Sequence, residues 1–353
     1  MKKYILICCI IGVGIFAYFR QQNENYYDLI IVSGATPLAV AEKVPAEILL
    51  TVDGLVKKDY RFSGSALNGF ASTRIRTREF DANGKFLGAY AYIGIPVFNI
   101  LEGIAPEKPE GADFKQPLDI IVSFLSASGK KVHFSFNELL MTDDRHPVTL
   151  AYERKPLLPT TEKVRETYAL NVFKEPLSGL RLICPREPDI TRYLDDVVKI
   201  TFSVLPTPDD LLPRRQKEKC IGKVILCVDE GSTREADLQN VSPHHNDRWV
   251  NIGHGHGYEA VSRVEGYDLR SFLTINFPEI RVSDFFLFVG CDGYRALFSG
   301  REIFLTEDGN AMMIARNING SPPPEGFKLA PTADYFADRA MWGLSFVARV
   351  NAK

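Results

Sequence analysis

The stretch WVNIGHGHGYEAVSRVEGYDLRSFLTINFPEIRVSDFFLFVGCDGYRALFSGREIF, residues 249–304, decides how the rest of the chain is read. Its apolar run from Phe285 to Val289 is followed by Asp292-Gly293 and a second apolar group, a pattern that predicts strand, turn and strand. Arg301-Glu-Ile-Phe then reads as a helical turn. Upstream, Gly266-Tyr-Asp-Leu marks a turn into a short helix, and His254 and His256 alternate with three glycines.

The same plan occurs earlier in the chain, in the same order. Leu49-Leu-Thr-Val-Asp-Gly matches Val224-Ile-Leu-Cys-Val-Asp-Glu-Gly, and Gly94-Ile-Pro-Val matches Gly266-Tyr-Asp-Leu. Asp119–Phe134 matches Asp284–Phe298, and Asn137-Glu-Leu-Leu matches Arg301-Glu-Ile-Phe. Gly179-Leu-Arg-Leu-Ile-Cys-Pro matches Gly326-Phe-Lys-Leu-Ala-Pro. An offset of about 170 residues is far too long for a solenoid and predicts a duplicated domain. The expected organisation is residues 1–25 as signal anchor or signal peptide, 26–46 as tether, 47–205 as first domain, 206–219 as a proline- and charge-rich linker, and 220–353 as second domain.

The length of 353 residues is enough for two domains with cores of their own. Hydrophobic residues at 45% and charged residues at 24% describe a globular chain. With 42 basic and 44 acidic side chains the net charge is -2, so no global field favours nucleic acid. Met1-Lys-Lys, the apolar run Tyr4–Phe19 and Arg20 together read as a signal. The run suits an uncleaved anchor, with the membrane as partner and the body outside the cytoplasm; a cleaved signal peptide is the alternative.

Each copy resembles the oxidoreductase molybdopterin-binding domain of sulfite oxidase and its relatives. The resemblance rests on Gly266-Tyr-Asp-Leu, Cys291-Asp-Gly-Tyr and Gly326-Phe-Lys-Leu-Ala-Pro in one copy. In the other it rests on Gly94-Ile-Pro-Val, Ser128-Gly-Lys and Gly179-Leu-Arg-Leu-Ile-Cys-Pro. It implies an α+β chain of two tandem mixed α/β domains behind an N-terminal apolar helix, and a molybdopterin-type cofactor. The family places a metal-ligating cysteine in the loop before the glycine turn. The corresponding loops, Arg74–Gly88 and Asn251–Tyr258, contain none. A soft thiolate is the donor suited to this metal, and imidazole or guanidinium does not replace it. The expectation is therefore a divergent or non-catalytic relative, with two alternatives: a binding partner of a redox complex, or a protein holding a transition metal.

Candidate site residues follow from these readings. Arg74, Arg76 and Arg78 place three guanidiniums on one face of an alternating segment, a geometry suited to phosphate or sulfate; a charge-blunted edge strand is the plainer reading. Arg76, Arg78, Arg263, Asp292 and Arg295 form the expected cofactor-binding set. His254 and His256, two apart and flanked by glycine, are the candidate metal ligands; a glycine-rich turn is the alternative. Among the cysteines, Cys220 and Cys227 are the nearest pair for a disulfide, and no CxxC motif is present. No P-loop, GxGxxG or Ser-His-Asp order gives a nucleotide or hydrolase reading a foothold.

Overall fold

In the computed structural model, strand accounts for 47% of the described residues and helix for 15%. The described residues are 44–141, 146–157, 175–207, 209–216, 220–253 and 257–351. The first half contains β1 (Leu49–Gly54), β2 (Tyr60–Ser63), β3 (Thr73–Phe80), β4 (Phe86–Pro96), β5 (Ile120–Ser126), β6 (Lys131–Ser135), β7 (Thr149–Pro156), β8 (Glu175–Ile183) and β9 (Val197–Val204). The second contains β10 (Leu226–Asp229), β11 (Ser232–Glu235), β12 (Pro243–Gly253), β13 (Gly257–Asp268), β14 (Phe285–Gly290), β15 (Arg295–Ser299), β16 (Met312–Ile318), β17 (Lys328–Pro331), β18 (Met341–Trp342) and β19 (Leu344–Val350).

These strands form four sheets, ordered β2-β1-β9-β5-β6, β3-β4-β7-β8, β11-β10-β19-β14-β15 and β12-β13-β16-β17-β18. Their arrangement is that of a four-bladed β-propeller. Element order recurs between the halves. In each, the opening strand pairs in parallel with the closing strand, β1 with β9 and β10 with β19. In each, an antiparallel hairpin, β5–β6 or β14–β15, flanks that closing strand.

This corrects the expected α+β pair of sulfite-oxidase-type domains. The misreading has a local cause. The segments taken as loops, 74–88 and 251–258, lie largely in the long hairpins β3–β4 and β12–β13. The segments taken as helices amount to one or two turns, Val97–Leu101, Phe136–Leu140, Leu269–Asn276 and Gly300–Leu305. The single N-terminal anchor also lacks support, because among the described residues no helix is long and apolar enough to cross a membrane. The run Tyr4–Phe19 lies outside the described residues.

The recurring glycine motif has a steric cause. A Cβ at Gly94 would lie 2.5 Å from the Leu150 carbonyl oxygen, and one at Gly266 would lie 2.0 Å from that of Ile314. Both positions adjoin a register shift, between β4 and β7 and between β13 and β16. A bulge presses the neighbouring backbone against the strand there, and only glycine leaves room.

Each half buries its own apolar cluster, centred on Val122, Phe124 and Phe202 in one and on Phe286, Phe288 and Phe298 in the other. A third cluster joins Ile121, Leu205 and Leu212 to Val228, Phe285, Leu287 and Val350. Residues 44–353 accordingly form one compact unit. The disulfide joins Cys220 to Cys291, 71 residues apart, rather than to Cys227, which is buried in β10. Closing a loop of that length removes unfolded-state entropy equivalent to about 4 kcal/mol.

Phe288 is fully buried, and its ring meets that of Phe298 edge-on at 5.4 Å. Replacing it by alanine is expected to cost about 3–5 kcal/mol, read from urea denaturation. A loss under about 1 kcal/mol would show that this cluster does not anchor the second half.

Candidate functional site

The loop from Glu102 to Gln116 reaches the boundary between the halves because its backbone is held to the β1–β2 connection. Lys57 N–H donates to the Ala105 carbonyl at 3.0 Å, and Glu107 N–H donates to that of Leu55 at 2.9 Å. This fixes Lys108 beside Asp119, which ends the single turn Pro117–Asp119. Arg295 enters from the other half as the first residue of β15. The three side chains line a cavity of about 680 Å³. Its apolar walls come from Leu55, Phe114, Val204, Leu205, Leu287 and Leu297.

Lys108 and Asp119 form an ion pair, and the Lys108 ammonium also donates to the Phe114 carbonyl at 2.9 Å. The ammonium lies 4.9 Å from the centre of the Phe114 ring. Burial is the main influence on both groups. It lowers the Lys108 pKa, assisted by the nearby Arg295 charge and opposed by Asp119. It raises the Asp119 pKa, opposed by Lys108 and Arg295. The two proton affinities are thus drawn towards each other.

A second group of charges lies at the junction of the halves. Ser135 and Ser299 cap the helices Phe136–Leu140 and Gly300–Leu305, each accepting from the N–H three residues on at 3.0 Å. In an ordinary capping box the glutamate at that third position would turn back to its own cap. Here the carboxylates cross between halves. Ser299 donates to Glu138 at 2.8 Å, and Ser135 to Glu302 at 3.5 Å. Arg192 pairs with Glu138 and Glu187 and lies 3.9 Å from the Phe134 ring centre. Arg339 pairs with Glu302 at 2.6 Å and with Asp334, and lies 4.1 Å from that of Phe298. Glu187 also accepts from Arg301 at 2.6 Å, linking the halves again. A cavity of about 200 Å³ adjoins these carboxylates.

The residues singled out from sequence do not converge. Arg76 and Arg78 are exposed on edge strand β3, alternating with buried Thr77 and Glu79, as a charge-protected edge requires. Arg263, on β13, is exposed and pairs with Asp247 at 3.3 Å and Glu265 at 3.1 Å. Asp292 pairs with Arg215 and accepts from the Tyr294 N–H at 2.9 Å, which makes it a turn residue. Tyr294 packs edge-on against Phe114 at 5.3 Å, behind the larger cavity. Of the expected set, Arg295 lines that cavity, while the others lie on two further sheets and in the β14–β15 turn. His254 and His256 lie outside the described residues.

Lys108 and Asp119 were missed because they sit in a loop without a motif. The crossed caps had a visible signal, the repeated Ser-x-x-Glu at 135–138 and 299–302.

A molybdopterin-type cofactor does not fit the described donors. Cys184 and Cys227 are buried, and burial pushes the first thiol well up and the second to about 12, while Cys220 and Cys291 are joined to each other. None of the four offers the thiolate such a metal takes. Among the described residues, no cluster of three or more His, Cys, Asp or Glu could hold a metal ion.

No family model and no curated protein matches this sequence. Among solved structures, the sulfane dehydrogenase SoxCD from Paracoccus pantotrophus is similar over 90% of this chain and 79% of that one, at 10% identity and a TM-score of 0.32. Likeness at that level carries no argument about fold or activity.

Burial raises the Glu302 pKa from 4.5 to about 8 in spite of its pairing with Arg339, with the Glu138 charge adding to the rise. The folded state therefore binds more protons than the unfolded chain between those values, and this group's contribution to stability falls as pH rises through that window. Urea midpoints should decline from pH 5 to pH 8, and Glu302→Gln should flatten the decline. An equal slope in the variant would assign the pH dependence elsewhere.

Proposed function

We propose that the chain is a binding protein for a small amphipathic anion, a carboxylate joined to an apolar body, held in the cavity beside Lys108, Asp119 and Arg295. One observation carries the reading: an apolar cavity of about 680 Å³ into which two cationic side chains and one buried carboxylate converge. Cavities of this size, lined mostly by apolar groups with a few polar ones at one place, suit small-molecule binding. Lys108 and Arg295 share the lining with the buried Asp119 and the half-exposed Asp113, which lies 3.9 Å from Arg214. The case for a negative ligand rests on the guanidinium of Arg295, which matches a carboxylate in shape and hydrogen bonding. The apolar walls would cover the rest of the ligand. The inert cysteines support binding without molybdenum redox chemistry.

Isothermal titration with octanoate and 1-octanol tests the reading. Octanoate should bind, 1-octanol should bind at least tenfold more weakly, and Arg295→Gln should lose about tenfold or more for octanoate. Leu55→Trp, which narrows the cavity without touching its charges, should weaken both ligands. Equal binding of the acid and the alcohol would remove the case for an anion, and unchanged binding by Leu55→Trp would remove the case for this cavity.

A further inference from the structure

We propose that Lys108 is a nucleophile that captures 2-oxo acids covalently, as an imine, within this cavity. The inference rests on the binding reading above and adds the ligand's reactive group.

Three observations support it. The Lys108 side chain is 4% exposed yet borders a cavity large enough for a ligand of drug-fragment size. A carboxylate, Asp119, touches the amine and can take and return its proton. Arg295 lines the same cavity, a position suited to hold the carboxylate of a 2-oxo acid while its neighbouring carbonyl meets the amine. Lysines become nucleophiles where burial and a second cation favour the neutral amine, and both influences act on Lys108.

The step balances without a further reagent. The Lys108 ammonium passes a proton to Asp119, and the freed nitrogen attacks the carbonyl carbon. A C–N bond forms, and a proton moves from nitrogen to the former carbonyl oxygen to give the carbinolamine. Asp119 then returns its proton to the hydroxyl, which leaves as water, and the product is a protonated imine. Positive charge remains on nitrogen beside the Asp119 carboxylate. The ion pair therefore survives the reaction, and no buried charge is left unpartnered.

The test is to incubate the full chain with 2-oxooctanoate, reduce with borohydride, and map adducts by peptide mass spectrometry. A single adduct at Lys108 is expected, suppressed by excess octanoate. Asp119→Asn should slow trapping by tenfold or more, and Lys108→Arg should give no adduct. Equal labelling of exposed lysines such as Lys57 and Lys58 would overturn the proposal, as would the absence of an adduct in a protein that binds octanoate. Failure of octanoate itself to bind would overturn the cavity reading and this proposal together. Should Lys108→Arg not fold, the adduct map of the unaltered chain decides alone.

Discussion

Two hydroxyl groups crossing between the halves, Ser299 to Glu138 and Ser135 to Glu302, set the condition under which the rest of the molecule exists. Glu138, Arg192, Glu302 and Arg339 are all almost wholly withdrawn from water. An ion taken out of water costs several kcal/mol unless its partners replace hydration, and removing one partner of a buried pair is far worse than never having the pair. Arg192 donates to both oxygens of Glu138, one of which Ser299 of the opposite half shares, while Arg339 pairs with one oxygen of Glu302 and Ser135 reaches the other. These crossed bonds add a polar, direction-specific contact to a junction that also carries the apolar cluster of Ile121, Leu205, Phe285 and Leu287.

That rigid centre explains how the larger cavity keeps its shape. Its walls come from the 102–119 loop, the end of β9 and the β14–β15 hairpin, elements from both halves that meet only when the junction is closed. Tyr294 buttresses Phe114 from behind, and its hydroxyl donates to the Asp338 carbonyl at 2.8 Å. Burial of the Lys108 and Asp119 side chains there is what alters their proton affinities.

Parts of this were legible in the sequence. The recurrence of Gly94-Ile-Pro-Val as Gly266-Tyr-Asp-Leu pointed to a repeated plan, and the bulges beside both glycines supply its physical basis. The β14–β15 hairpin, with its Asp292 turn, was visible because apolar alternation and a turn signal are local. The class was misjudged through the family resemblance, which set loops at 74–88 and 251–258 where the described residues form the long hairpins β3–β4 and β12–β13. The cavity was illegible, since Lys108, Asp119 and Arg295 are brought together by the tertiary fold, and charge in a loop reads as solvated surface. The disulfide was misplaced for the same reason, because nearness in sequence does not decide which sulfurs meet.

The parallel pairing of β1 with β9 and of β10 with β19 governs the order in which the chain can be completed. A first strand that needs the last must wait for it, so each half closes around contacts of long sequence separation and folding is slow by topology. During synthesis Val204 emerges well before Ser299, so the first half can close its sheet while Glu138 still lacks its crossed partner. The first half can thus bury its own apolar cluster and pair Glu138 with Arg192, and it gains the crossed bond from Ser299 only when the second half is present.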